Sequence, residues 1–294
     1  VRDDPTLPNE LRYDELELGG FLSEEITPRD WAALVHATAA HVDSGDATGV
    51  VVATGTDTLA YTAGLLHWLF GNQTLPIVLV ASSTTGESAE SVSSFKEAVR
   101  IAVAGEPGVT VVFAGERLPA ANLKFERVPG TDEAPAFRTW NTGGAGGGAA
   151  ALSGRIDLGL EEIAERLEEA VRRSFVSKVF PGMQASTLIA LIDAGVRYFI
   201  LELYDTGTAS LRETPYSLKK AFEHGREHGV VFFCTSQQEG AVDFSEYVTS
   251  HELWKEGAIP MGTLTTESAF TRLVSALVTS DDEQEVLKRM EERL

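Results

Sequence analysis

The stretch Val51–Leu66, VVATGTDTLAYTAGLL, decides the fold. An apolar run over residues 49–53 has the composition of a buried strand. A small polar turn follows, Thr54-Gly55-Thr56-Asp57-Thr58. Then Leu59, Ala63, Leu66 and Leu69 recur at helical spacing. Strand, turn and helix in that order make the repeating unit of an α/β protein. Its turn lies at the carboxyl end of the strand, where open parallel sheets hold their ligands. Gly55 permits a tight turn. Thr56 and Thr58 bring hydroxyls and Asp57 a carboxylate beside the first N–H groups of the helix, whose positive end favours anions. Taken alone, these residues admit two readings. Thr56 or Asp57 is an ordinary N-cap, or the turn is a binding or catalytic site.

Working outward, further strands and helices alternate. Residues 75–84 (LPIVLVASST) and 108–115 (GVTVVFAG) read as buried strands flanking a helix over 88–105, with Val92, Phe95, Val99, Ile101 and Ala102 as its apolar face. Upstream, Thr27-Pro28 starts a helix with Trp31, Leu34, Val35 and Thr38 inward, preceded by a polar loop, Leu22-Ser23-Glu24-Glu25. Residues 116–137 read as a long connection and the glycine-rich 141–150 as a flexible linker, because no strand precedes those glycines and no GK[ST] follows them. Beyond a charged helix at 160–173, strands at 177–183, 197–210 and 230–240 alternate with helices at 187–196 and 217–229. A helix capped by Thr265 or Thr266 and a last amphipathic helix close the chain. The fold expected is α/β: a doubly wound parallel sheet in an N-terminal domain (1–140), a Gly-rich linker and helix (141–175), and a smaller C-terminal α/β domain (176–294).

Bulk properties narrow the function classes. The 294 residues are 43% hydrophobic and 23% charged, which suits globular domains with real cores. Acidic residues outnumber basic ones 44 to 24, a formal charge of −20. No basic patch stands out, so nucleic acid is not expected as a direct ligand. No apolar run is long enough for a membrane span, and no signal peptide is evident. One cysteine, Cys234, rules out an internal disulfide and sits in an apolar run as a buried thiol. The cytoplasm is the compartment expected. His224 and His228 lie four apart without a third ligand nearby in sequence, and read as a solvated helix face.

Several segments, in order, resemble the L-asparaginase/glutaminase family. VVATGTDTLAYTA (51–63) is similar to the family's GTDT motif, and LSEEITPRDW (22–31) to its substrate-carboxylate loop. VFPGM (179–183), ALIDAGVRYFILELYDTGTA (190–209), VVFFCTSQQEGAVD (230–243) and ELWKEGAIPMGTLTTESAFTRLVSAL (252–277) resemble its C-terminal domain. The resemblance implies hydrolysis of the side-chain amide of Asn or Gln, or a related amide, with release of ammonia. It implies catalytic roles for Thr56, Asp57 and Lys124, and substrate binding by Ser23, Glu24 and Gly55. Ser23 would donate to the substrate's α-carboxylate, while Glu24 and Asp57 suit its ammonium. The chemistry is acyl transfer, in which a hydroxyl needs a base and the oxyanion needs positioned donors.

The departures are specific. No TGGTI-like strand, source of the family's principal nucleophile, occurs in the sequence. The family's Val-Thr-Lys-like run is replaced by Asn122-Leu123-Lys124-Phe125, so either Lys124 sits one place early or Phe125 has taken the lysine's place. ASSTTGESAESVSSFKEAV (81–99) lacks the family's Pro and Asn, and MGTLTTE (261–267) replaces a Gly-Asp-Met-Thr-like run. Those segments build subunit contacts in the family, so a homo-oligomer altered from the family pattern is expected. The resemblance implies a small amino-acid substrate, and no cofactor or metal is called for. Two other readings stand beside the amidohydrolase. One is an asparaginase-fold binding or scaffold protein. The other is the ammonia-supplying component of a tRNA-dependent amidotransferase, against which the acidic charge and the lack of an extra N-terminal barrel weigh.

Overall fold

The computed structural model describes residues 11–20, 22–82, 88–128, 136–140 and 156–292. The expected glycine-rich linker lies outside them. The chain divides into two compact units, Val1–Thr139 with Ala150–Leu167, and Trp140–Ala149 with Glu168–Leu294.

In the first unit a four-stranded sheet runs β1 (Val50–Ala53), β2 (Pro76–Ala81), β3 (Gly108–Phe113) and β4 (Glu116–Pro119) in that spatial order. The first three are parallel, with Val52 opposite Leu79 and Leu79 opposite Val111. Strands covered on both faces read as continuous apolar runs, and every residue of β2 is buried. Helix α1 (Pro28–Ser44) starts where the sequence places it. Thr27 Oγ1 accepts from Asp30 N, and Trp31, Leu34, Val35 and Thr38 are buried. Helix α2 (Leu59–Phe70) is buried almost all round. Helix α3 (Ala89–Ala104) packs Ala98, Ile101 and Ala102 onto Val78, Val80 and Val112. Its buried face is rotated from the expected one: Ser94 is inside, whereas Val92 and Phe95 are 44% and 37% exposed.

Most of the described residues in the expected long connection at 116–137 are strand. Ala114 and Gly115 both take positive φ, 50° and 78°. Two such residues in a row form the tight turn that matches strand twist, so the chain reverses and β4 pairs antiparallel with β3. Strands β5 (Phe125–Val128) and β6 (Ala136–Thr139) then pair with each other.

The second unit holds a parallel sheet in the order β10 (Ala258–Pro260), β9 (Val231–Ser236), β8 (Tyr198–Leu203), β7 (Ser174–Lys178). Its core gathers Phe199, Leu201 and Leu203 of β8, Phe232 and Cys234 of β9, Leu188 and Ile192 of α5 (Ala185–Asp193), and Phe222 of α6 (Lys219–Glu227). Strand β7 starts and ends earlier than the sequence pattern suggests. The Phe180-Pro181-Gly182-Met183 stretch is a turn, closed by Met183 N donating to Phe180 O at 3.1 Å. Helix α7 (Val248–Lys255) and strand β10 are additions to the expected pattern. Between them and the chain end come α8 (Thr266–Thr279), capped by Thr265 Oγ1 accepting from Ser268 N, and α9 (Glu283–Glu291). Helix α4 (Leu160–Arg172) precedes β7.

Candidate functional site

The turn after β1 stands at the carboxyl edge of the first sheet, continued by Thr54 N donating to Val80 O at 3.0 Å. The capping reading of Thr56 and Asp57 does not hold. The N-cap of α2 is Thr58, and no side chain caps the helix. Thr58 Oγ1 instead donates to the backbone oxygen of Ser23 at 2.9 Å. Thr56 contributes only its backbone oxygen to the helix start, accepting from Leu59 N at 3.3 Å. Its half-buried hydroxyl and the exposed Asp57 carboxylate are therefore not spent on capping.

Ser23 comes to this turn from far upstream. Within the expected polar loop at 22–25, residues Ser23–Glu25 form a single 3-10 turn just before α1. Helix α1 is tied to α2 by Trp31 Nε1 donating to Thr62 Oγ1 at 3.2 Å, a buried bond. That packing sets the 3-10 turn over Gly55. A Cβ at Gly55 would lie 2.5 Å from Ser23 Oγ and 2.7 Å from Ser23 Cβ, inside any tolerable contact. Gly55 is thus required for close approach, a use of glycine different from the tight turn expected. Ser23 Oγ in turn donates to Asp57 Oδ2 over 3.4 Å, a long bond. Ser23, Gly55 and Asp57 form one cluster, with Thr58 as its anchor. The sequence reading missed the anchoring role of Thr58, although its place in the GTDT motif is in plain view.

Glu24 is exposed on the same 3-10 turn. Lys124 is half-buried immediately before β5. The rings of Phe113 and Phe125 meet edge to face with centroids 5.1 Å apart. Phe113 ends β3 and sits opposite Ala81 at the end of β2. The start of β5 thus packs against the carboxyl end of β3, while Thr56 and Asp57 stand past the end of β1, two strands away in the sheet order. Ser82, just past β2, donates its hydroxyl to the Glu90 carboxylate, which also accepts from Ser94 Oγ at 3.2 Å. Chemically, the edge offers a carboxylate for an ammonium, hydroxyls for a carboxylate or an attacking oxygen, and a helix N-terminus for developing negative charge.

Models of two domains match the chain: "Asparaginase, N-terminal" over residues 8–146 and "Glutaminase/Asparaginase C-terminal domain" over residues 175–290. The chain belongs to the asparaginase/glutaminase family. Its asparaginase-type architecture of two α/β domains also matches solved structures. The thermostable L-asparaginase from Thermococcus kodakarensis aligns over 92% of this chain and 81% of that one, with a TM-score of 0.71 and 25% identity. L-asparaginase I from Vibrio cholerae shares the fold at a TM-score of 0.68 and 21% identity, over 93% of this chain and 82% of that one. The curated relatives include subunits of glutamyl-tRNA(Gln) amidotransferases. The one from Pyrococcus furiosus is 31% identical over 93% of this chain, and the one from Aeropyrum pernix 27% over 98%. This asparaginase-family chain spans 64% of the length of the Pyrococcus relative and 70% of the Aeropyrum one. No helix among the described residues is long and apolar enough to cross a membrane.

Proposed function

We propose that the chain is an amide-cleaving, ammonia-releasing module of the asparaginase type that works as one component of an amidotransferase. The observation that carries this reading is the Ser23–Gly55–Asp57 cluster, with the hydroxyls of Thr56 and Thr58 beside it. Ser23 and Asp57 present a donor and a carboxylate to the two charged ends of an amino acid. Thr56 positions or activates the attacking group, and Lys124 is the residue assigned to proton transfer. Glu24 supplements the ammonium contact.

The relatives named as subunits of a glutamyl-tRNA(Gln) amidotransferase favour this assignment over a free-standing asparaginase. Net acidity does not oppose it, because a component that releases ammonia need not itself grip tRNA. A protein partner then replaces the homo-oligomer as the expected assembly, and the cytoplasm is the compartment such a role implies. The test is ammonia release from Asn and Gln, by the chain alone and with its co-purified partners. Thr56→Ala and Asp57→Ala should each abolish release while leaving the fold intact. Unchanged turnover in Thr56→Ala would remove the assignment.

A second reading is favoured by β1. Among the described residues it is an edge strand, paired only with β2, and Val50, Val51 and Val52 are only half-buried although apolar. No TGGTI-like stretch occurs in the sequence. In this reading the chain alone binds amino acids without turning them over, and turnover awaits a Thr-bearing strand on that edge. Calorimetry with Asp and Asn separates the cases: heat of binding with no ammonia favours the second, and ammonia release by the isolated chain excludes it.

A further inference from the structure

Helices α5 and α6 pack side by side in the second unit, and their carboxyl ends carry an unassigned cluster. Asp193 is the last residue of α5, His224 lies in the last turn of α6, and His228 is the C-cap of α6. His224 Nε2 and Asp193 Oδ1 are 2.8 Å apart. The two imidazoles face each other with centroids 4.1 Å apart and planes inclined by 33°. One donor atom from each of the three residues lies within 4.8 Å of the others. In a tetrahedral zinc site, metal–ligand distances near 2 Å put the donor atoms about 3.4 Å apart. Small side-chain rotations at this half-exposed surface close that gap.

We propose that Asp193, His224 and His228 form a binding site for a divalent transition-metal ion, with Zn2+ as the reference, that ties the carboxyl ends of α5 and α6 together. Two observations beyond the residue types point to a cation. His228 Nδ1 is 2.8 Å from the backbone oxygen of His224. With its Nδ1–H donating there, His228 keeps the Nε2 lone pair for a metal, and ligating histidines are commonly oriented in this way. Both helices also end here, and a helix carboxyl end carries partial negative charge. Arg197 Nη1 already donates to Ile192 O and Val196 O at 3.1 and 3.0 Å, and Arg226 pairs with Glu256 at 2.7 Å. Neither guanidinium is given over to the Asp193 carboxylate, which faces His224. Three protein ligands leave the remaining coordination position to water, and two imidazoles with one carboxylate suit Zn2+, Co2+ or Ni2+ better than Mg2+ or Ca2+.

The proposal does not depend on the amidohydrolase reading, and the test needs no turnover. The full chain, stripped with chelator, is titrated with Zn2+ by calorimetry and with Co2+ by visible absorption. Expected are saturation at one ion per chain, a Co2+ spectrum with nitrogen ligation, and a higher melting temperature with Zn2+ present. His228→Gln and Asp193→Asn, both at exposed positions, should each weaken Zn2+ binding by tenfold or more and erase the thermal shift. His251→Gln, on α7, should leave both unchanged. Equal binding by wild type and His228→Gln, or no saturable binding by wild type, overturns the site and leaves a His–Asp contact beside a stacked ring.

Discussion

Gly55 has no room for a side chain, because Ser23 occupies the space a Cβ would need. Gly55→Ala should therefore push the 3-10 turn of Ser23–Glu25 away from Asp57. Ser23 is held to this turn by the bond from Thr58 and its own long bond to Asp57 and can give way, so stability should fall by no more than about 1 kcal/mol. Amide turnover should fall by roughly a hundredfold, the scale set by an ångström of misplacement in a reacting geometry. Urea denaturation beside an ammonia assay checks both. A large loss of stability with proportionate loss of activity would mean that the glycine serves only the fold. Cys234 is fully buried, and burial pushes its thiol well above the ordinary range. The native chain should resist alkylation at neutral pH and react within the unfolding transition, which mass spectrometry of iodoacetamide-treated samples would follow. The candidate site is partly legible at this scale. Thr56, Asp57 and Ser23 stand out through the order of motifs. The Gly55–Ser23 contact joins residues with no local pattern between them, so only the packing of α1 on α2 reveals it.

At the scale of elements, the strands easiest to read are those buried on both faces. β2 (PIVLVA) and β8 (YFILEL) are apolar nearly throughout, and no alternative pattern competes. β4 is not legible, because Glu116-Arg117-Leu118-Pro119 is exposed or half-exposed along its length. It is a strand because the Ala114-Gly115 turn folds it back onto β3. β10 is short and ends in Pro260, which a sheet tolerates on an edge strand. α7 buries only Ser250 and Leu253, too thin a stripe to announce a helix. The exposed β4 is fastened to α3 by Arg117 Nη2, 2.9 Å from Glu97 Oε1, while Arg100 lies 3.2 Å from Glu97 Oε2. The hydrogen bond from Arg117, then that from Arg100 and the charges of both, outweigh partial burial and hold the Glu97 carboxyl below its ordinary value of 4.5. A depressed carboxylate stabilises the fold above its unfolded pKa and loses that contribution as pH falls through the folded one. Wild type should thus lose stability on acidification below about pH 4.5. Glu97→Gln should be less stable at neutral pH and show a shallower acid slope. Urea midpoints measured across that range provide the comparison, and identical slopes would remove Glu97 from the account.

Across the whole molecule, charge is the dominant long-range term. A formal charge of −20 over 294 residues leaves many carboxylates without a basic partner, since 44 acidic residues share 24 basic ones. Ion pairs at the surface include Arg29–Glu161, with side chains 56% and 77% exposed. Such pairs contribute about 0–1 kcal/mol each and weaken in salt. Self-repulsion of the excess carboxylates is also screened, over a Debye length of about 10 Å at 0.1 M salt. The two effects oppose each other, and the surplus of acid decides between them: relieving repulsion outweighs losing the pairs. Raising NaCl from about 0.02 M to about 0.5 M, where screening shortens to a few ångströms, should therefore raise the melting temperature. Potassium glutamate and NaCl should act similarly at low concentration, because screening depends on ionic strength more than on ion identity. A melting temperature that falls over this range would show that the stabilisation lost from ion pairs such as Arg117–Glu97 outweighs the relief of repulsion among the excess carboxylates.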